Sequence, residues 1–231
     1  MTNPSTDGGF AVIEMFTSQG CNSCPPAEEL LSEIGRDARE RRQNVFALGF
    51  HVDYWDDLGW PDQFADAAYT ARQEAYARAF GTRGLYTPQM VVNGSVEFVG
   101  SDRRRAASAI MSAMASTTTT PLALSVDNLG ADRVMLDYRV EGPPPRAVLH
   151  VAVVERDLTS EIARGENAGR TLRQDNVVRA FRSVGLDAER GQVELATPSG
   201  LDPRSASVVG YVQENGDRAI VGATAIELST A

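Results

Sequence analysis

Apolar and polar positions follow two different rhythms along this chain, and the rhythm changes near residue 117. In the first half, short apolar runs alternate with stretches of helical spacing. Residues 10–16 (FAVIEMF) and 44–52 are apolar runs of strand length. Between them, residues 26–42 place Leu30, Leu31, Ile34 and Ala38 on one helical face. Glu28 and Glu29 stand early in that helix and Arg39, Arg41 and Arg42 late, the arrangement the helix dipole favours. A long connection, 51–63, leads to a second helix over about 64–80, closed by Gly81. Residues 90–92 and 96–99 flank Asn93-Gly94, a strong hairpin signal. Ser101 or Asp102 can cap a final helix running through Ala115.

The resulting order is strand, helix, strand, helix, hairpin, helix. Right-handed crossovers set the first two strands parallel and side by side, with the hairpin added antiparallel. This predicts an α/β thioredoxin-like domain (βαβαββα) over residues 1–116. The segment STTTTP then breaks the pattern and predicts a linker at 117–121. Beyond it the period becomes two. Val134, Leu136, Tyr138 and Val140 alternate with less apolar positions, and 147–154, 192–196, 207–213 and 219–228 read as further strands between turn signals. An all-β, sandwich-like C-terminal domain over 122–231 is the expectation.

That domain carries a long insert, about 157–191, where the strand pattern stops. Val177, Val178 and Phe181 predict a short amphipathic helix there, capped by Asp175 or Asn176. Arg164, Arg170, Arg173, Arg179 and Arg182 crowd the same excursion. Inserts of this length are commonly functional or partly helical. The insert can be a flap that folds back over Cys21, its arginines offering an anion-binding surface. Equally, it can cement the two domains.

Composition narrows the function. Hydrophobic residues make up 42% and charged residues 23% of the 231, the balance of a globular protein. A net charge of −9, from 31 acids against 22 bases, opposes general nucleic-acid binding. The apolar runs span only a few residues, far short of the ~20 a membrane helix needs. The opening MTNPSTDGGF has no basic segment and no apolar core, so the sequence as it stands predicts a cytoplasmic protein. A removed leader would make it periplasmic or secreted. Nothing in the sequence calls for a cofactor.

The chemistry centres on two cysteines three positions apart, Cys21 and Cys24, in FTSQGCNSCPP. A bridge closing so short a loop restricts the unfolded chain little, so a structural role is a weak explanation. A strand running into Cys-x-x-Cys at a helix start reads instead as a redox motif. Unpaired N–H groups there favour the Cys21 thiolate, making Cys21 the attacking sulfur and Cys24 the resolving one. Thr87-Pro88 stands just before the third strand, where a cis proline presents backbone to a substrate; an ordinary trans proline opening an edge strand is the alternative. Glu14 can accept a proton from Cys24, or be an outward-facing carboxylate. His51 and Asp53 follow the second strand and can shuttle protons, help bind a metal or play a structural part. Tyr54, Trp55 and Trp60 either line a peptide groove or fill a seam between domains.

Four segments together, FTSQGCNSCPPAEELL, FHVDYWDDLGW, YTPQMVVNG and GENAGRTLRQDNVVR, resemble an uncharacterised bacterial family of thioredoxin-like proteins, often secreted. The resemblance covers nearly the whole chain. It implies the fold and a redox site carried by Cys21, Cys24 and Pro88, but supplies no substrate. The leading functional expectation is a thiol–disulfide oxidoreductase acting on a protein or small-molecule thiol or disulfide. The alternative is a Cu(I)- or Zn-binding or metallochaperone module using Cys21, Cys24 and His51, since soft thiolates suit those ions. A peptide-binding domain that has lost turnover is a third reading, which the intact cysteine motif opposes.

Overall fold

A computed structural model describes residues 8–117, 120–130 and 132–228 of the chain. Its first strand, β1 (Ala11–Thr17), is buried at every position. Helix α1 (Pro25–Arg41) opens on two prolines, tolerable because first-turn N–H groups have no intrahelical acceptor. β2 (Val45–His51) runs parallel to β1, from Ala11 opposite Val45 to Thr17 opposite His51. A 3₁₀ turn over Asp53–Leu58 leads to α2 (Ala67–Phe80). That helix begins three residues later than its apolar pattern suggests, because the Asp66 side chain caps it by accepting from Ala68 N. β3 (Gln89–Val92) and β4 (Val96–Val99) form the Asn-Gly hairpin, and β3 lies antiparallel against β1. Asp102 caps α3 (Arg103–Met114) by accepting from Arg105 N.

The remaining strands are β5 (Leu122–Leu129), β6 (Arg133–Val140), β7 (Val148–Glu155), β8 (Leu158–Glu161), β9 (Thr171–Gln174), β10 (Val177–Gly185), β11 (Arg190–Ala196), β12 (Ala206–Gln213) and β13 (Ile220–Glu227). Strands from both halves join in one eight-stranded sheet, ordered β13-β12-β7-β10-β2-β1-β3-β4. Residues 118 and 119 of the expected linker lie outside the described residues. The larger of the second half's two layers, β13-β12-β7-β10, is continuous with the sheet of the first half. The smaller layer is the three-stranded sheet β11-β6-β5, packed over β7 and β12 through Leu136, Val151, Val153 and Val208.

The helix predicted at Val177, Val178 and Phe181 is corrected by the structure, where these residues open β10. The reason is a bulge. Val178 lies opposite Val154 and Phe181 opposite Ala152, with the register slipping between Val178 and Ala180. One extra residue thus sets apolar positions three apart on one face, a spacing that imitates a helix. β10 completes the sheet, but its join to β2 is narrow. A single register pair, Val177 opposite Gly49, links them, with Gly49 N donating to Asn176 O at 2.7 Å. The Asn93-Gly94 turn makes a second join. Gly94 sits at φ +67° with the Arg218 carbonyl where a side chain would stand, and Ile220 N donates to Asn93 O.

α1 and α3 cover one face of β1–β3 through Ile13, Met15, Leu31 and Ala106. α2 covers the opposite face, where Phe16, Phe50, Tyr69 and Tyr76 pack directly against Ala152, Val178 and Tyr211 of the second half. Within this apolar layer lies a buried charge pair. The Arg72 guanidinium of α2 holds Glu14 of β1 with two bonds, Nε to Oε1 at 2.7 Å and Nη2 to Oε2 at 3.0 Å. Tyr76 and Tyr211 donate their hydroxyls to the same carboxylate, and Gln213 Oε1 accepts from Arg72 Nη2. The rings of Phe50, Tyr76, Phe181 and Tyr211 surround the guanidinium at 5.2–5.8 Å. His150 stacks on Phe181, and burial together with the Arg72 charge holds its pKa well below the ordinary value, so it is neutral.

Removing one member of such a pair strands the other in an apolar layer. Arg72→Met is expected to lower the unfolding free energy by about 3–5 kcal/mol in urea denaturation. A loss under about 1 kcal/mol would show that the network around Arg72 adds little to the stability of the fold.

Candidate functional site

β1 delivers the chain to the cysteines through a tight turn. Gly20 N donates to Ser18 Oγ and Cys21 N to Ser18 O, and α1 starts at Pro25 with Cys24 as its N-cap. Cys21 and Cys24 are joined in a disulfide, and both residues are 0% exposed. The expected supply of free N–H groups at the helix start is smaller than the motif suggests. Pro25 and Pro26 have none, and the amides of Ala27 and Glu28 both donate to Cys24 O. The nearest side-chain donor to the Cys21 sulfur is the Ser23 hydroxyl, 3.3 Å away.

The second half of the chain supplies the cover. β8 and β9 form a separate two-stranded hairpin, and the loop between them reaches over the cysteine turn. Asn167 Nδ2 donates to Gln19 O at 2.9 Å and to Cys21 O at 3.0 Å, and Glu166 accepts from Asn22 N at 3.1 Å. Gln19 ties the base of this flap down. Its amide nitrogen donates to Ser160 Oγ and Gln174 Oε1, and its oxygen accepts from Trp60 Nε1. Of the insert's arginines, Arg170 holds Asn167 Oδ1 and Arg179 pairs with Glu155.

Beneath the flap lies a cluster of buried ionisable groups, and it differs from the one expected. Glu14, for which a place beside Cys24 or an outward-facing one was expected, is buried and paired with Arg72. The carboxyl on the cysteine helix is Glu28, one turn after Cys24, accepting from Thr17 Oγ1 at 2.8 Å. Burial raises its pKa, against the opposing influences of His51 and Thr17. Gln174 also faces it and favours the charged form, without a well-aligned hydrogen bond. Of the roles open to Asp53, the structure shows a structural contact: it accepts from Thr70 Oγ1 at 2.5 Å, fastening the 3₁₀ turn to α2.

The partner of His51 is Asp62, with Nδ1 and Oδ2 2.6 Å apart and both side chains buried. Asp62 further accepts from the amides of Gln19 and Phe64. Burial opposes ionisation of both, but the attraction between them prevails, raising the His51 pKa and lowering that of Asp62. Sequence reasoning missed Gln19, Glu28 and Asp62. Only Glu28 had a signal, its i+4 spacing from Cys24.

The Thr87–Pro88 peptide is cis. Gly100 N donates to Pro88 O, and a side chain on Gly100 would meet both Pro88 and Ala27, so this loop lies beside the first turn of α1. Thr87 Oγ1 is buried beside Tyr54, and neither hydroxyl makes a hydrogen bond of good geometry. Tyr54 and Trp55 pack on the layer shared by the two halves, whereas Trp60 serves the flap through Gln19. Among the described residues no group of three His, Cys, Asp or Glu side chains is placed to hold a metal ion. No helix among them is long and apolar enough to cross a membrane.

The family model described as "Protein of unknown function (DUF1223)" matches residues 12–213. Among solved structures, protein AGR_C_4864 from Agrobacterium tumefaciens is similar over 98% of this chain and 98% of its own, at 29% identity and a TM-score of 0.71. A domain of the outer membrane lipoprotein Omp28 from Porphyromonas gingivalis overlaps 48% of this chain and 89% of its own, at 10% identity. Its TM-score of 0.30 is too low to carry an argument. A comparison with curated proteins found no match.

Two measurements test this geometry. Asn167→Ala removes that residue's two hydrogen bonds to the cysteine turn and leaves the one from Asn22 N to Glu166, a net loss of about 1.4 kcal/mol, or tenfold. Reduction of the disulfide by dithiothreitol should accelerate by about that factor; an unchanged rate would mean the loop does not limit access. His51 has a raised pKa, so its pairing contributes stability below about pH 6.5 and loses it as pH climbs through the folded value. Asp62→Asn should therefore lower the Tm more at pH 5.5 than at pH 9. Equal losses would show that the pair is not charged.

Proposed function

This chain belongs to the DUF1223 family, whose function is unknown, and we propose that it exchanges thiols and disulfides through Cys21 and Cys24. The observation that carries the reading is the disulfide itself, closed at a helix start over a loop too short to stabilise the fold much. The reading treats the first half as a thioredoxin-like unit. The parallel β1–β2 pair, the antiparallel β3–β4 hairpin, the three helices and the cis Thr87–Pro88 bond beside α1 support it.

In the reduced protein, the Cys21 thiolate attacks one sulfur of a substrate disulfide. A Cys21–substrate disulfide forms, and the other substrate sulfur leaves as a thiolate and takes up a proton. Glu28 accepts the Cys24 proton, and the Cys24 thiolate attacks Cys21 Sγ. The intramolecular disulfide closes and the second substrate thiol departs. Two electrons pass to the substrate, and an external dithiol restores the reduced protein. Run in reverse, the same steps oxidise a substrate dithiol. Ser23 donates to the Cys21 thiolate, and Thr87 and Pro88 border the path of the substrate. Burial raises the Glu28 pKa, a direction that favours uptake of the Cys24 proton.

Cys24→Ser should trap a mixed disulfide through Cys21, while Cys21→Ser should trap none. Equal trapping by both variants would sink the assignment of the nucleophile. Glu28→Gln should slow the resolving step about 10²-fold at pH 7. The deficit should shrink at pH 9, where a thiol with a pKa of about 8.5 ionises unaided. A deficit independent of pH would remove Glu28 from the proton path.

A further inference from the structure

At the far end of α1 from the cysteines, some 22 Å of helix away at about 1.5 Å per residue, the seam between β2 and β10 opens. Because the strands share only the Val177–Gly49 pair, a cavity of about 120 Å³ remains beside that join. Gly35, Arg39 and Arg42 line it from α1, with Arg156, Asn176 and Glu227 from the second half.

Asn176 is the informative residue. It is only 4% exposed, and its Oδ1 accepts from Arg39 Nη1 at 3.2 Å. That bond fixes the amide, because the flipped orientation would set its NH₂ against a guanidinium that can only donate. Nδ2 is thereby left as a buried donor without a partner at the cavity wall. Gly35 makes room for the amide: a Cβ there would stand 2.7 Å from Nδ2.

The charges around it are as incomplete as the donor. Among the described residues, no carboxylate lies within 4 Å of the Arg39 or Arg42 guanidinium, and Arg39 bonds a neutral amide instead. The Glu227 carboxylate, which also lines the cavity, is held by Arg156 at 2.9 and 3.4 Å. Burial and then the Arg156 charge lower the Arg39 pKa, while Asp175, Glu227 and Asp157 act in the opposite direction. Two of the last helix carbonyls, Ala38 O and Arg39 O, accept from Gln43 N and Arg42 N. The chain contains no lysine, so every basic group here is a planar fork suited to oxygen pairs.

Arg39, Arg42 and the Asn176 amide border a space of small-anion size, and the Glu227 carboxylate beside them is already held by Arg156. We propose that this cavity binds a free tetrahedral oxyanion of phosphate or sulfate size, held by Arg39, Arg42 and the Asn176 amide. The site stands apart from the cysteine chemistry and does not depend on it.

The test is thermal unfolding of the full chain in inorganic phosphate against sodium chloride of equal ionic strength. The wild type should show a saturable rise in Tm with phosphate beyond that in chloride. Asn176→Asp keeps a residue type that tolerates the local φ of 59° and places a carboxylate beside Arg39. It should match or exceed the wild-type Tm in chloride and bind phosphate at least tenfold more weakly. Arg39→Gln should lose the response to a similar extent and serves if Asn176→Asp folds poorly. A wild type indifferent to phosphate, or variants that respond as it does, would overturn the proposal.

Discussion

The buried guanidinium of Arg72 is the constraint on which the rest of the structure depends. A charge in an apolar layer is tolerable only when paired and fully hydrogen-bonded. Here its partners come from both halves of the chain. Glu14 stands on β1 and Tyr76 on α2, whereas Gln213 and Tyr211 stand on β12 and Phe181 on β10. Satisfying one charge therefore fixes α2 against β1 and brings β12 and β10 to the same place. The backbone join between the halves, one register pair and the Asn93-Gly94 turn, is slight beside this side-chain network.

The position of β10 has consequences for the cysteines. β9 and Asn176 lead directly into β10, so anchoring that strand through Phe181 and Val178 also anchors the base of the flap. The flap then reaches Gln19 and Cys21 through Ser160, Gln174 and Asn167. The cysteine turn is built by the first half and closed by the second, which makes the site a product of the whole chain. Both cysteines are buried, so the proposed exchange requires the flap to lift. The hydrogen bonds that hold it are few and neutral apart from that of Glu166, a pattern suited to local opening at modest cost.

α1 connects two places of opposite character. At its start, Glu28 stands one turn after Cys24 and is buried against Thr17, and His51 pairs with Asp62. At its end, Arg39 and Arg42 face a gap at the seam of the sheet. Both arise where the halves meet without full backbone pairing, because side chains there must find partners across the seam or go without.

The sequence by itself determined the elements of the first half and the place of the cysteine pair among them. Local periodicity, the Asn93-Gly94 turn, the Asp102 cap and the cysteines at a helix start depend on neighbours within a few residues, and these the chain displays openly. The expected order of strands and helices up to residue 115 is the observed one. Only the tertiary structure decided which ionisable groups act together. Glu14 and Glu28 are both carboxylates near the cysteines in sequence, but Arg72 claims one and Thr17 orients the other. Asp62 rather than Asp53 meets His51 because the chain doubles back after the 3₁₀ turn. β10 imitated a helix because a bulge shifts its period, and a bulge is specified by the partner strand. The Asn167–Cys21 contact joins residues 146 positions apart, and no local pattern encodes a pairing at that distance. Such contacts are selected by packing and by the cost of leaving buried polar groups unpaired, which exist only once the chain has folded.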